Sequence, residues 1–217
     1  MNGEVLKAKK AIEHFNTACY AGGSIYLYDD VTLAEKGIAV RPIYNHRGTF
    51  SISLQCTNQG SEKARVLVPP GATVRAPGHF QDATVLNYRM LKAEPNKWGF
   101  DRSLVACCEF GDKDPRASSP SGFESHKNKD VSKVATAATR LGASWETAQV
   151  AIWAVTDNPT LEALLTTPGN YRKRNVRAAR SVLKSAGLKA SNYQLWGQQI
   201  NIGELPSFDV VRGIFGG

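Results

Sequence analysis

The chain contains no apolar run approaching the roughly 18 residues that a membrane-spanning helix needs, and no internal repeat or low-complexity tract is present. Its first residues, MNGEVLKAKKAIEHF, are charged and mixed, without the apolar stretch of a secretory signal. A soluble, cytoplasmic protein is the expectation these absences set, unless another feature places it outside the cell. Cysteine and histidine are both sparse: Cys19, Cys56, Cys107 and Cys108, with His14, His46, His79 and His126. No CxxC pair occurs and the two residue types do not cluster, so a zinc centre of ordinary spacing is excluded. Four cysteines in 217 residues do not make a disulfide scaffold. An ordinary bridge between the adjacent Cys107 and Cys108 would be strained.

Other chemistries are missing in the same way. Asp29-Asp30 and the GDKD segment at 111–114 lack the full set of oxygen ligands of a calcium loop. GGS and PPG are turns, since neither continues into the GKS or GKT of a phosphate loop. The histidines lie in unrelated contexts and assemble no Ser-His-Asp set. The chain is therefore read as carrying no metal and no cofactor, and as leaning away from enzymatic activity.

What the chain has is an ordinary globular composition with 42% hydrophobic and 21% charged residues. A formal charge of +8 favours anionic partners or serves solubility alone. Residues 4–20 carry Val5, Ala8, Ile12, Phe15 and Cys19 at helical steps, predicting an N-terminal helix within 1–23. From 24 to 110 the period is two. In TFSISLQC, Phe50, Ile52, Leu54 and Cys56 share one face, and Ser51, Ser53 and Gln55 the other. TNQGSEK reads as a hairpin turn. Pro69-Pro70-Gly71 breaks the next strand and marks an edge or a bulge. These strands predict an antiparallel β-sandwich. Residues 111–130 are polar and rich in Ser, Pro, Asp and Lys, which predicts a long loop or lid. From 131 to 217 the helical period returns, with a short strand near the C-terminus. The fold class expected is α+β: a β-sandwich followed by a helical half.

Two constellations carry chemistry. The first lies in SWETAQVAIWAVTDNP, Ser144–Pro159, where Ser144 is a fitting N-cap and Gln149 interrupts an apolar run. A buried amide must find partners or it costs roughly 1–3 kcal/mol. Hydrogen bonds to a neighbouring loop backbone are the plain way to satisfy it. TAQVAIWAVTD resembles the glutamine helix of thioester domains, modules of bacterial surface proteins. The resemblance implies that a strand cysteine attacks the glutamine amide, ammonia leaves and an internal thioester remains. LVACCEFGDKDP supplies the cysteine: strand alternation points Cys107 and Cys108 opposite ways, and the segment after Cys108 fits the family pattern better, so the resemblance favours Cys108, with Cys107 as the fallback. It further implies a non-enzymatic adhesion module, outside the cell, that captures a partner protein through a lysine amine. Read as residues alone, both cysteines also fit as small buried hydrophobes.

The second constellation is basic. No Asp or Glu occurs between Glu162 and Glu204. Arg172, Lys173, Arg174, Arg177, Arg180, Lys184 and Lys189 fall in that span, and Lys173, Arg177, Arg180 and Lys184 form one helical stripe. Such a stripe is a solvated helix face or a nucleic-acid contact that neutralises phosphates. Nucleic-acid association is the alternative function.

Overall fold

The computed structural model describes residues 24–44, 51–76, 80–111, 122–125, 128–169 and 171–197. The expected N-terminal helix and the strand expected near the C-terminus lie outside these residues. The fold class is α+β, with nine strands in two sheets and a set of helices on the second sheet. One sheet has the order β1-β4-β7, from Ile25–Tyr26, Ala64–Val68 and Arg89–Ala93, with β1 parallel to β4 and β7 antiparallel to it. The other has the order β2-β3-β8-β6-β5-β9 and is antiparallel throughout. Its strands are Ile38–Tyr44, Ser51–Asn58, Lys97–Cys107, Ala83–Val85, Ala72–Arg75 and Gly122–Ser125. A short helix α1, Asp30–Glu35, precedes β2 and is capped by the Asp29 side chain. Ile52, Leu54 and Cys56 of one sheet and Val66, Val68 and Leu91 of the other share one buried core.

Three sequence expectations change in detail. TNQGSEK joins no hairpin, because β3 and β4 lie in different sheets. It is a crossing held by Asn58, whose side chain donates to Glu62 O and Ala93 O and accepts from Gly60 N. Pro69-Pro70-Gly71 is likewise a crossing, since β4 and β5 are in separate sheets. Gly71 has φ +86° there, and a Cβ would sit 2.6 Å from Ser132 Cα. Both reasons require glycine. The strand region also continues past Phe110, because β9, from within 111–130, pairs with β5. The remainder of that loop lies outside the described residues, apart from its first residue Gly111 and the helix start at 128–130.

β7 and β8 also belong to different sheets, and they come closest at Gly99, where an added Cβ would overlap Lys92 O. Gly99→Ala must push the two strands apart. We expect a loss of about 1–3 kcal/mol, read as a lower midpoint of urea unfolding at unchanged slope. Wild-type stability in this variant would refute the close approach.

The helices are α2, Lys129–Arg140; α3, Trp145–Thr156; α4, Leu161–Thr166; α5, Lys173–Ser185; and a last turn α6, Gln194–Gly197. Asn128 caps α2 and also donates to Val155 O at 2.6 Å, tying the start of α2 to the end of α3. Ser144 caps α3 as its position predicts. Thr160 caps α4, and Asn158 has no part in that cap. Asn158 instead takes φ +52° and accepts a hydrogen bond from Gln194 N at 2.6 Å. The helices bury a second core that includes Leu86 of the chain after β6 and Ala106 and Cys107 of β8. The outer face of the larger sheet is therefore covered at the Ala106 end. From Trp98 to Leu104 its outward side chains stay exposed.

Candidate functional site

The site forms where α3 meets the end of β8. Nine of the twelve α3 residues, Thr147 to Val155, are buried. That explains a helix apolar on nearly every side, since it packs between β8, α2 and α5. Among the described residues, β3 pairs with β8 as far as Ser51↔Leu104. Past that pair, α3 side chains bond the same edge of β8. Trp145 and Gln149, four residues apart, share one face of the helix. Trp145 Nε1 donates to Val105 O at 2.7 Å. Gln149 Oε1 accepts from Cys107 N, and Gln149 Nε2 donates to Cys107 O, each at 2.8 Å. Val105 and Cys107 are two apart, so they present their main chains to the same edge. The Gln149 carboxamide acts as one more residue of a neighbouring strand. It has no solvent exposure.

The other edge of β8 pairs with β6 through Val85↔Val105 and Ala83↔Cys107. Cys108 N follows on that edge and donates to Asp82 O at 2.8 Å. The main chains of the two cysteines thus face opposite ways, Cys107 to Gln149 and Cys108 to Asp82. The carboxamide meets Cys107, one residue before Cys108, the cysteine that the family resemblance favours. Cys56, Cys107 and Cys108 are all buried and none is in a disulfide.

Asp82 is the centre of a polar knot beside Cys108. Its Oδ2 lies 2.6 Å from Arg75 Nη1, and its Oδ1 accepts from Ala76 N at 2.8 Å. Its own N–H donates to Glu109 Oε2 at 2.6 Å. Arg75 reaches on to Glu124 of β9 at 3.2 Å. Burial pushes the Cys108 thiol well above the ordinary range, and the Glu109 and Asp82 carboxylates push it in the same direction. Burial also raises the Tyr44 phenol, again with help from Asp82. Tyr44 donates to Val74 O at 3.1 Å. Cys56, away from these acids, is pushed up to about 11 by burial. Cys108 is therefore a thiol at neutral pH, not a standing thiolate.

Aromatic rings close the outer side. Phe110 meets Trp153 edge-on at 4.9 Å, and Tyr171 lies 5.1 Å from the same ring. Tyr171 also sits 6.1 Å from Trp145. The sequence reading missed Asp82, Arg75, Glu109 and the role of Trp145. Only Trp145 carried a usable signal, its four-residue spacing from Gln149.

The basic helix is placed apart from this site. Val176, Ala179, Val182 and Leu183 of α5 are buried against the helical core. Arg174, Arg177, Arg180 and Lys184 are exposed, as is Arg172 before the helix, and Lys173 is half-buried. Among the described residues, Arg174, Arg177, Arg180 and Lys184 form no ion pair. No group of three His, Cys, Asp or Glu side chains among the described residues is placed to hold a metal. No helix among them is long and apolar enough to cross a membrane.

Compared with known proteins, the chain matches no family model, no curated protein and no solved structure.

Proposed function

We propose that the chain is a thioester-type interaction module, with Gln149 as acyl donor to a cysteine at the end of β8. The observation that carries this reading is the Gln149 carboxamide held at 2.8 Å from both main-chain atoms of Cys107. The helix and strand likeness in the sequence named these residues, and the fold supports the pairing by bringing them into contact. The Cys107 side chain springs from the Cα that lies between the two bonded atoms. The Cys108 main chain faces Asp82. Cys107 is therefore the nucleophile in this reading, with Cys108 as the second thiol to test.

The chemistry balances simply. The sulfur attacks the amide carbon, the C–N bond breaks, and ammonia leaves with the thiol proton. A lysine amine of a partner protein then attacks the thioester, the C–S bond breaks and the thiol returns. Burial keeps water from the bond until a partner reaches it. The two sheets with their common core serve as the β-sandwich that carries the cysteine strand, and the helical half carries the acyl donor. Such a module attaches rather than turns over, and its setting is the cell surface.

The test is the intact mass of the purified chain, with and without methylamine. The expected mass is short by one ammonia, gains methylamine on treatment, and shows neither change in Cys107→Ala. A mass equal to the sequence and indifferent to amine overturns the reading. The deficit surviving in Cys107→Ala but not in Cys108→Ala moves the bond to Cys108.

A second reading rests on α5, whose exposed Arg174, Arg177, Arg180 and Lys184 form no ion pair among the described residues. In it the protein associates with nucleic acid through phosphate contacts, using Arg172, Lys173, Arg174, Arg177, Arg180 and Lys184. Affinity that falls steeply with salt supports it, and affinity unchanged when Arg177, Arg180 and Lys184 become Gln removes it.

A further inference from the structure

We infer that the open half of the larger sheet, on β2, β3 and β8, is a platform for a single-stranded nucleic acid. This inference stands apart from the Cys–Gln chemistry and from α5. Trp98 and Phe100 are 60% and 67% exposed on adjacent outward positions of β8. Large aromatic side chains are usually driven inside by their apolar area. Two of them bare on one strand, about 7 Å apart at strand spacing, need a partner with flat faces.

The neighbours define that partner. The register places Thr57 beside Trp98, Gln55 beside Phe100, and Ser53 beside Arg102. Across β3, Arg41 of β2 stands opposite Gln55. Arg41 and Arg102 are exposed and form no ion pair with a described residue. No Asp or Glu stands at an outward position of the three strands. Asp101 of β8 has the opposite parity, lies 3.9 Å from Arg89 and accepts from the main-chain N–H of Arg102.

The face therefore offers two stacking rings, two guanidinium groups with no ion pair to a described residue, hydroxyls and an amide, beside the exposed Ile43 and Leu104. A neutral sugar would leave the positive charges of Arg41 and Arg102 unmatched. An anion with planar groups at extended spacing fits it: bases on Trp98 and Phe100, phosphates on Arg41 and Arg102. Sheet platforms of this composition bind unpaired bases by stacking, with little sequence preference. A duplex keeps its bases stacked on one another and cannot use the rings.

The experiment titrates a labelled oligothymidine of about a dozen nucleotides into the whole chain at several salt concentrations. Binding is expected, with Trp98→Ala and Phe100→Ala each weakening it roughly tenfold or more. Trp98→Phe keeps the affinity. Arg41→Gln and Arg102→Gln each lower the slope of log K against log salt by about 0.7. These side chains are exposed, so circular dichroism and the thermal midpoint stay as in the parent chain. No binding at low salt overturns the inference, as does equal affinity for a duplex. Binding indifferent to Trp98→Ala and Phe100→Ala, yet lost when Arg177, Arg180 and Lys184 become Gln, also overturns it and leaves α5 as the contact. Displacement of the oligonucleotide by a sulfated polysaccharide regardless of Trp98 and Phe100 reduces the contact to charge and overturns it too.

Discussion

Replacing Gln149 by Met is expected to destabilise the chain by about 2–5 kcal/mol, although the side-chain volume barely changes. The reason is the main chain of Cys107. Its N–H and C=O exchange hydrogen bonds with the fully buried Gln149 carboxamide. Methionine supplies neither a donor nor a comparable acceptor, so both bonds to residue 149 are lost inside a buried site. Gln149→Ala adds a cavity in a helix packed on all sides and is expected at the upper end of that range or beyond. For a chain of this size each kcal/mol moves the thermal midpoint by about 2–4 °C, which makes the loss plain in calorimetry.

Gln149→Glu gives the same expectation a sign in pH. The introduced carboxyl must donate to Cys107 O, and it can do so only when protonated. Its pKa is thus raised in the folded chain. The stability it supports is present below the ordinary glutamate range and is lost as pH rises through the raised value. Near-parental stability in mild acid and severe loss at neutral pH is the expected profile. A flat profile, or a mild effect of Gln149→Met, would show that water or another group reaches Cys107. Cys107→Ala leaves these main-chain bonds in place. That variant, rather than any change at 149, separates the thioester from the fold.

The sequence showed Gln149 as an anomaly because a lone amide breaks an apolar run. It showed the ends of α3 because Ser144 and the TDNP segment are local signals. It could not show that the amide bonds the edge of β8, since that depends on how α3 packs against the sheet. Strand alternation in SISLQC identified the buried face correctly, with Ile52, Leu54 and Cys56 inside. Alternation tells which face is buried and nothing about which sheet a strand joins. Hence TNQGSEK and Pro69-Pro70-Gly71 read as a hairpin and a bulge, when both carry the chain between sheets. Alternation also ends in VACC, 105–108, where all four residues are buried. There β8 gains helices on its outer face, and the period of two loses its meaning. The exposed Trp98 and Phe100 were hidden for the opposite reason, because aromatic residues in a strand pattern are normally counted toward the core.

Asp82 left no trace in the sequence, and its removal is the second large effect expected. The residue is 5% exposed and ties its own segment to two other stretches of chain, 75–76 and 108–109. Its carboxylate holds Arg75 and Ala76 N, its N–H holds Glu109, and its carbonyl receives Cys108 N. Asp82→Ala keeps the two main-chain bonds and deletes the carboxylate. The Arg75 side chain is 39% exposed and can return partly to water or to Glu124. The net cost is therefore expected near the lower end of the roughly 3–5 kcal/mol of a broken buried pair. Asp82→Asn divides that cost. It retains an acceptor for Ala76 N and removes the charge opposite Arg75, so a milder loss isolates the ion pair. Both variants remove a negative charge beside Cys108 and shift its thiol downward, while burial, the larger cause, still holds it above the ordinary range. Alkylation of Cys108 followed against pH should then begin at lower pH in Asp82→Asn than in the parent chain. An unchanged alkylation profile together with unchanged stability would mean that the knot around Asp82 neither braces the end of β8 nor sets the electrostatics of its cysteines.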